Sequence, residues 1–257
     1  MTRRFLLLVV VTLSITAAHS QNGSRKLVYK PTGEEASVSG DLLFTGVVAP
    51  EKRVDVSADP VCEQVNPNLT WKPLAVTDGK LANALVYVSG GDALEKYSFE
   101  SSDVPVTLEH TRCDYHPRVM GIQVDQPLAV VNSDRTQHNT HPRPTLNQEW
   151  NMSQGVGAGP IVKSFNRPEL DIAIICNQHP WERAYLSVFA HPFFSVTDAG
   201  SFRIQGLPPG RYQLTIWHEK LKEKTVELTL TPGEAGYVAV SFNESDINDS
   251  SVNRRNN

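Results

Sequence analysis

Three short segments of the sequence concentrate side chains that can bind a metal ion. They read Cys113-Asp-Tyr-His116, Asn132-Ser-Asp-Arg-Thr-Gln-His138-Asn-Thr-His141 and Cys176-Asn-Gln-His179-Pro-Trp-Glu182. Thiolate and imidazole groups are ligands that both copper and zinc accept. A cysteine and a histidine three residues apart can bind one ion when the chain turns between them, so the third segment is the strongest candidate.

Cys176 is expected at the inner end of a β-strand. Leucine and isoleucine occupy positions 170, 172 and 174, which places them on one face of the strand with Cys176. His179 follows in a turn that a proline stiffens. A second imidazole from another loop would complete a Cys-His₂ site, which suits copper electron transfer. His138 is well placed for this role, because it lies just beyond the apolar strand predicted at 127–132.

The sequence holds three cysteines, Cys62, Cys113 and Cys176, and an odd number leaves at least one unpaired in an oxidising compartment. The unpaired one could be a buried inert thiol, an intermolecular disulfide or a metal ligand. Cys176 is the expected odd one, given its neighbouring imidazole. Cys62 and Cys113 are expected to form a structural disulfide, unless they lie too far apart. No Cys-x-x-Cys occurs, which excludes c-type haem attachment and thioredoxin-like chemistry.

The N-terminus predicts export. Two arginines, an apolar run at 5–18 and small residues up to Ser20 are typical of a signal peptide over 1–20, cleaved after Ser20. The run is shorter than the ~20 residues of a spanning helix, so we expect a periplasmic or secreted protein without a membrane span. Loss of Arg3 and Arg4 leaves 22 basic against 28 acidic side chains, a formal charge of −6. This charge argues against nucleic-acid binding.

The remaining chain predicts an all-β protein. Short β-type runs alternate with Gly, Pro, Asn and Asp, and no amphipathic helix of normal length is found. These runs favour sandwiches or open barrels. A flexible arm is predicted over 21–36 and a disordered tail over 243–257, because both are polar.

The run from Val196 to Ile216 alternates turns and strands as Thr-Asp…Gly…Phe…Ile…Leu-x-Pro-Gly-x-Tyr-x-Leu. It resembles carboxypeptidase regulatory-like, prealbumin-type β-sandwiches. This resemblance implies that residues 37–95 pair with 191–242 in one smaller sandwich, with 96–190 inserted. Two tandem domains are the alternative.

The His-Asn-x-His loop and the downstream Cys-x-x-His-Pro-aromatic loop resemble those of cupredoxins, amicyanin and plastocyanin most closely, over about residues 105–190. The resemblance implies a Greek-key β-sandwich of cupredoxin type over 96–190. It assigns His138, Cys176 and His179 as copper ligands, and Asn139 as a residue that holds the ligand loops together. Trp181 is expected either in an apolar docking patch or in the core.

Glu182 departs from the family pattern, because amicyanin-like sequences have a weak axial methionine there. Met120 and Met152 are the methionines left after cleavage, and neither follows Cys176. A carboxylate is a harder ligand than a thioether, so it should favour Cu(II) and lower the reduction potential. Alternatively, Glu182 faces solvent and leaves an open coordination position.

Other histidines have simpler interpretations. His141 could replace His138, or bind a second ion with His110 or His116, although a surface role is the default. Cys113 and His116 repeat the Cys-x-x-His spacing and could form a second site. His191 and His218 adjoin apolar residues, which favours packing roles.

The N-terminus predicts export, and the resemblance implies a non-enzymatic copper protein that exchanges single electrons with unidentified redox partner proteins. One alternative is a structural or adhesion module that is metal-free or binds zinc. Another is a copper enzyme or sensor that uses an open position beside Glu182.

Overall fold

The computed structural model describes residues 26–248. The predicted signal peptide at 1–20, residues 21–25 of the predicted arm and residues 249–257 of the predicted tail lie outside the described residues. Within 26–248, no helix combines the length and the apolar character that crossing a bilayer would require.

Strands are the main secondary structure of the described chain and its helices are short, which confirms the predicted all-β class. Its strands are β1 (Leu27–Val28), β2 (Ala36–Thr45), β3 (Lys52–Arg53), β4 (Thr70–Trp71), β5 (Val76–Thr77), β6 (Lys80–Leu81), β7 (Leu85–Gly91), β8 (Tyr97–Ser98), β9 (Val106–Thr111), β10 (Asp114–His116), β11 (Val119–Gln123), β12 (Leu128–Asn132), β13 (His138–Arg143), β14 (Met152–Gln154), β15 (Ile161–Lys163), β16 (Glu169–Ile175), β17 (Arg183–Phe189), β18 (Phe194–Val196), β19 (Ser201–Leu207), β20 (Gly210–His218), β21 (Leu221–Leu230) and β22 (Ala235–Asn243). Two short α-helices, α1 (Pro60–Val65) and α2 (Asp92–Lys96), and a 3₁₀ helix at Glu244–Asp246 complete it.

Strands from both ends of the described chain build one β-sandwich, here called sandwich A. One sheet has the order β18-β7-β20-β21, and the other has the order β19-β2-β6-β5 with β22 paired to β2. Gly40 lies where β2 meets β22, and a Cβ there would approach Val238 O to 1.9 Å and the Phe202 ring to 2.6 Å. The prealbumin-type assignment of this sandwich stays a prediction.

The second β-sandwich, sandwich B, is built by the strands between β9 and β17. Its sheets have the orders β10-β9-β12-β15 and β11-β17-β16-β13-β14. Residues on alternate positions of β12 and β16 fill its core, among them Leu128, Val130, Ile172 and Ile174. This alternation continues past β16, so that Cys176 is buried at the strand end.

One step of the predicted alternation in β16 is wrong. Leu170 is 43% exposed, while Ile172 and Ile174 are buried. The register against β17 shifts between Glu169 and Ile172, and Asp171 adopts a positive φ of 57° at this bulge. The extra residue of a bulge moves the side chains before it to the other face of the strand.

Residues 52–71, here called the cap, do not join sandwich A, although the sequence analysis assigned 37–95 to it as a whole. The cap comprises β3, α1 and β4, and β3 pairs with β4. The predicted disulfide between Cys62 and Cys113 is confirmed, with an S–S distance of 2.04 Å. Val56 and the disulfide form a small apolar cluster with Trp181, which attaches the cap to sandwich B.

Two stretches that the sequence analysis assigned to a loose arm and tail are ordered in their described parts. Leu27 and Val28 pair in parallel with Tyr97 and Ser98. Asn243 closes a capping box on the 3₁₀ helix at Glu244–Asp246. Polar composition predicted disorder, but strand pairing orders Leu27 and Val28, and a side-chain cap satisfies the backbone after Asn243.

An apolar interface joins the two sandwiches. Leu85, Tyr87 and Trp217 of sandwich A pack against Val119 and Phe189 of sandwich B. A largely buried ion pair between Arg118 and Glu219 crosses the same interface.

Arg118 precedes β11, and Glu219 follows β20. The Arg118 guanidinium donates to both Glu219 oxygens, at 2.5 and 3.0 Å. Tyr185 donates a further hydrogen bond to Glu219, at 3.1 Å. Both charges therefore have partners across the interface, although Glu219 is almost fully buried.

We predict that Glu219→Ala lowers the free energy of unfolding by about 3 kcal/mol, because Arg118 would keep a largely buried charge without its partner. Urea unfolding followed by tryptophan fluorescence would measure the change. The matched control is Glu100→Ala, which removes an exposed ion pair with Lys30 and should leave the unfolding midpoint unchanged. Equal midpoints for the two variants would contradict a stabilising role of the interface pair.

Candidate metal centre

Adjacent strands of sandwich B bring together the two segments that hold the predicted ligands. His138 begins β13, and Cys176 directly follows β16. The two strands are antiparallel neighbours, with His141 opposite Ile175. His179 and Glu182 lie in the turn between β16 and β17, and a backbone hydrogen bond of 2.9 Å from Glu182 to His179 closes that turn.

The four predicted ligand residues meet at one buried point. One donor atom from each of His138, Cys176, His179 and Glu182 lies within 4.8 Å of all the others. The two histidine Nδ1 atoms are 2.9 Å apart, and the Cys176 Sγ is 3.7 Å from Nδ1 of His179. Oε1 of Glu182 lies 2.9 Å from Nδ1 of His138 and 3.4 Å from Nδ1 of His179.

The polar atoms at this point fit a metal ion better than they fit one another. Oε1 of Glu182 is buried and makes no hydrogen bond, although two nitrogens approach it. The two facing Nδ1 atoms can share only one proton, so one lone pair stays directed into the cluster. A thiolate, two imidazole nitrogens and a carboxylate oxygen are a donor set that copper or zinc can accept.

Glu182 does not face solvent, so that alternative is wrong. Its side chain has no exposed surface. The oxygen not directed at the cluster, Oε2, lies 2.8 Å from Nδ1 of His110. His110 therefore holds the carboxylate through Oε2, and Oε1 remains directed at the donor cluster.

His110 is a site residue whose role the sequence analysis missed. It points into sandwich B from β9, in alternation with Leu108. Its Nε2 lies 3.0 Å from the Thr140 hydroxyl, and its ring stacks on His138 with 4.4 Å between centroids. Donation from Nδ1 to Glu182 leaves Nε2 as the acceptor for Thr140. The alternation of inward-facing residues along β9 is the sequence pattern that could have predicted that His110 points into the sandwich.

Asn139 connects the two ligand loops through its side chain. Its Oδ1 accepts hydrogen bonds from the backbone N–H of Asn177 at 2.8 Å and of Gln178 at 3.2 Å. The Cys176 thiol lies 3.6 Å from the same oxygen. These bonds hold the loop after Cys176 against β13.

Both histidines of the cluster face a carboxylate with their outer nitrogens. Nε2 of His179 lies 3.0 Å from Oδ2 of Asp59 in the cap. Nε2 of His138 lies 3.1 Å from Oδ2 of Asp134, but the angle does not suit a hydrogen bond. Asp134 also accepts the backbone N–H of Cys113, at 2.8 Å. The sequence analysis identified neither carboxylate, because nothing in the local pattern links them to the histidines.

The electrostatics of the cluster favour an imidazolium beside anions. Burial disfavours the charged form of His138, but the nearby Asp134 and Glu182 carboxylates and the Cys176 sulfur outweigh it and raise the pKa of His138 to about 11. Burial would raise the pKa of Glu182, but His110 and His138 hold that pKa below its ordinary value. Burial likewise opposes ionisation of Cys176, yet hydrogen bonds from His138 and His179 lower the pKa of its thiol.

The other predicted histidines lie outside the four-residue cluster. His141 contacts Asn177 and Glu149, and His116 is exposed. Neither belongs to a cluster of potential metal ligands within residues 26–248. Burial lowers the pKa of His191 and of His218 to about 4, as expected for packed neutral histidines.

Trp181 is half-buried beside the disulfide. Its Nε1 donates to the carbonyl of Cys113 at 3.0 Å, and its ring centroid is 5.1 Å from that of His179. The residue therefore links the ligand turn to the attachment point of the cap.

No protein-family model matches the chain, and no curated protein matches it. Solved structures resemble part of it. The Cu-containing nitrite reductase (NirK) from Thermus scotoductus SA-01 is 20% identical, with a TM-score of 0.31, over 34% of this chain and 22% of that chain. This chain thus spans about a fifth of the reductase.

Two smaller proteins resemble a similar share of the chain. A purple cupredoxin from Nitrosopumilus maritimus is 16% identical, with a TM-score of 0.28, over 32% of this chain and 97% of that chain. A mutant of amicyanin in the Cu(I) form is 16% identical, with a TM-score of 0.30, over 41% and 98%.

We predict that the Cys176 thiol of the metal-free protein ionises below the pH at which an ordinary cysteine does, because two imidazoles bind the thiolate. Ultraviolet absorbance of the thiolate against pH would measure this. The pH dependence of the unfolding free energy would not reveal this shift. If folding adds a proton to His138 and removes one from Cys176, the folded and unfolded states bind the same number of protons at these two groups. His138→Ala should move the titration to higher pH, and His141→Ala should not. An unshifted titration in His138→Ala would contradict the arrangement.

Proposed function

We propose that this chain is an exported copper protein that transfers single electrons through one mononuclear site. His138, Cys176 and His179 would hold the ion, with Glu182 as the fourth ligand in place of the usual methionine. The observation that carries the proposal is the convergence of four buried donor atoms, one of which is a carboxylate oxygen without a hydrogen-bond partner.

Copper would supply the one-electron chemistry by cycling between Cu(II) and Cu(I). The chain contributes the surroundings that such a cycle requires. Asn139 holds the two ligand loops together, and His110 holds the Glu182 carboxylate. Because these bonds exist before any ion binds, the ligands need little rearrangement between two charge states.

Burial of the ligands favours electron transfer over catalysis. A reaction centre must admit a substrate to the metal, whereas an electron can pass through packed side chains. His138 and Glu182 have no exposed side-chain surface, and only 3% of His179 is exposed. The candidate site therefore offers a small molecule no direct access.

A structural zinc site is the second candidate, and one observation favours it. Four buried donors of sulfur, nitrogen and oxygen can close a tetrahedral site, which is how structural zinc is held. The same residues would serve, but the ion would have no redox role.

Metal analysis with a visible spectrum distinguishes the two candidates. Purified protein loaded with Cu(II) should hold one copper per chain and show a thiolate-to-copper charge-transfer band. Cys176→Ser should lose the band, because it removes the thiolate, and His141→Ala should keep it. Protein of intact fold that stays colourless with Cu(II) but binds one zinc would overturn the copper assignment.

Glu182→Met is predicted to raise the reduction potential of the copper-loaded protein. A thioether is a softer ligand than a carboxylate and stabilises Cu(I) relative to Cu(II). Redox titration of the charge-transfer band would measure the potential. Glu149→Gln alters an exposed carboxylate beside His141 and should leave the potential unchanged. An unchanged or lower potential in Glu182→Met would argue against Glu182 as a ligand.

Export and partners belong to the same proposal. The basic, apolar and small-residue regions of 1–20 support a periplasmic or secreted location. A mononuclear electron-transfer site needs one donor and one acceptor, so redox partner proteins are implied.

A further inference from the structure

The cap supplies the hydrogen-bond partner of a ligand imidazole. His179 directs Nδ1 toward the other donors and Nε2 away from them. Nε2 lies 3.0 Å from Oδ2 of Asp59, a residue of the loop that begins α1. His179 is 3% exposed, so this carboxylate occupies the place that water would take at an open surface.

The Asp59 carboxylate is held by bonds on both of its oxygens. Oδ1 caps α1 and accepts the backbone N–H of Val61 at 2.8 Å and of Cys62 at 3.2 Å. Oδ2 accepts the hydroxyl of Thr136 at 2.7 Å, in addition to facing His179. One oxygen thus fixes the carboxylate to the cap, and the other faces the candidate metal centre.

The cap itself is fixed to sandwich B next to Asp59. The disulfide joins Cys62 to Cys113, and Asn66 donates to the carbonyl of Arg112 at 3.0 Å. The Cys62 Sγ lies 3.8 Å from Nε2 of His179. The position of Asp59 is therefore set by a covalent bond three residues along the chain.

We infer that Asp59 is a positioning residue for His179, an inference that rests on the proposed function. A carboxylate that accepts the Nε2 proton keeps the imidazole in the tautomer whose Nδ1 lone pair is free for a metal ion. It also fixes the ring orientation and makes the imidazole a stronger donor. The cap thus completes the metal centre from outside.

The test is Asp59→Asn with Thr136→Val as its matched control. Asparagine keeps an oxygen for the α1 cap, but turns an NH₂ group toward the N–H of His179. Thr136→Val removes the other hydrogen bond to the same oxygen and leaves the carboxylate in place. We expect copper affinity to fall about 10- to 100-fold in Asp59→Asn and to change little in Thr136→Val, measured by competition with a chelator.

A second readout does not depend on copper. In the metal-free protein, the Nε2 proton of His179 should give a downfield NMR signal that is protected from exchange. Asp59→Asn should lose the signal, and Thr136→Val should keep it. Circular dichroism and the thermal midpoint establish that both variants are folded.

The possible outcomes separate this inference from the proposed function. Wild-type protein that binds no copper would overturn the proposed function, while the NMR comparison would still test the hydrogen bond. Wild-type protein that binds copper, with equal affinities in Asp59→Asn and Thr136→Val, would overturn the positioning role alone. Loss of affinity confined to Asp59→Asn, together with loss of its NMR signal, supports it.

Discussion

The burial of one carboxylate among three imidazoles is the constraint on which the candidate centre depends. Glu182 faces His110 with one oxygen, and His138 and His179 with the other. A charge withdrawn from water costs several kcal/mol unless positive charge and hydrogen bonds lie close to it. In the metal-free chain His110 and His138 offset the burial of Glu182 and lower the pKa of its carboxyl, and a bound metal ion would supply positive charge directly. Binding of a metal ion to these residues would therefore be coupled to proton release.

The disulfide extends this constraint to a distant part of the chain. It ties the cap to sandwich B, and each of its cysteines is next to a carboxylate that faces a histidine of the candidate centre. Asp59 accepts the backbone N–H of Cys62, and Asp134 accepts that of Cys113. A covalent link that the sequence analysis expected only as a structural disulfide thus also orders the surroundings of both imidazoles. The disulfide thus contributes both to the attachment of the cap and to the geometry of the candidate centre.

The parts predicted from the sequence are those that local chain geometry decides. Cys176 could be placed at a strand end because apolar residues alternate with a period of two along the preceding strand. His179 could be placed beside it because a turn follows that strand. Leu170 was misplaced, since a bulge at Asp171 has no signature in the alternation. Asp59 could not be found at all: it lies 120 residues from His179, and only the fold brings the two together. Patterns within one strand point to candidate ligands, whereas the residues that contact those candidates from outside come from elsewhere in the chain.

The cap also limits how a partner could approach the centre. A protein docking over His179 would meet Asp59 and the rest of the cap instead of an imidazole edge. Trp181 offers the other direction: its ring is 5.1 Å from that of His179, and it lines a cleft with Arg118 and Glu219. That cleft is bounded by the cap and by both sandwiches. The disulfide and the interface ion pair, which hold the three parts together, therefore also shape the cleft that Trp181 connects to the candidate centre.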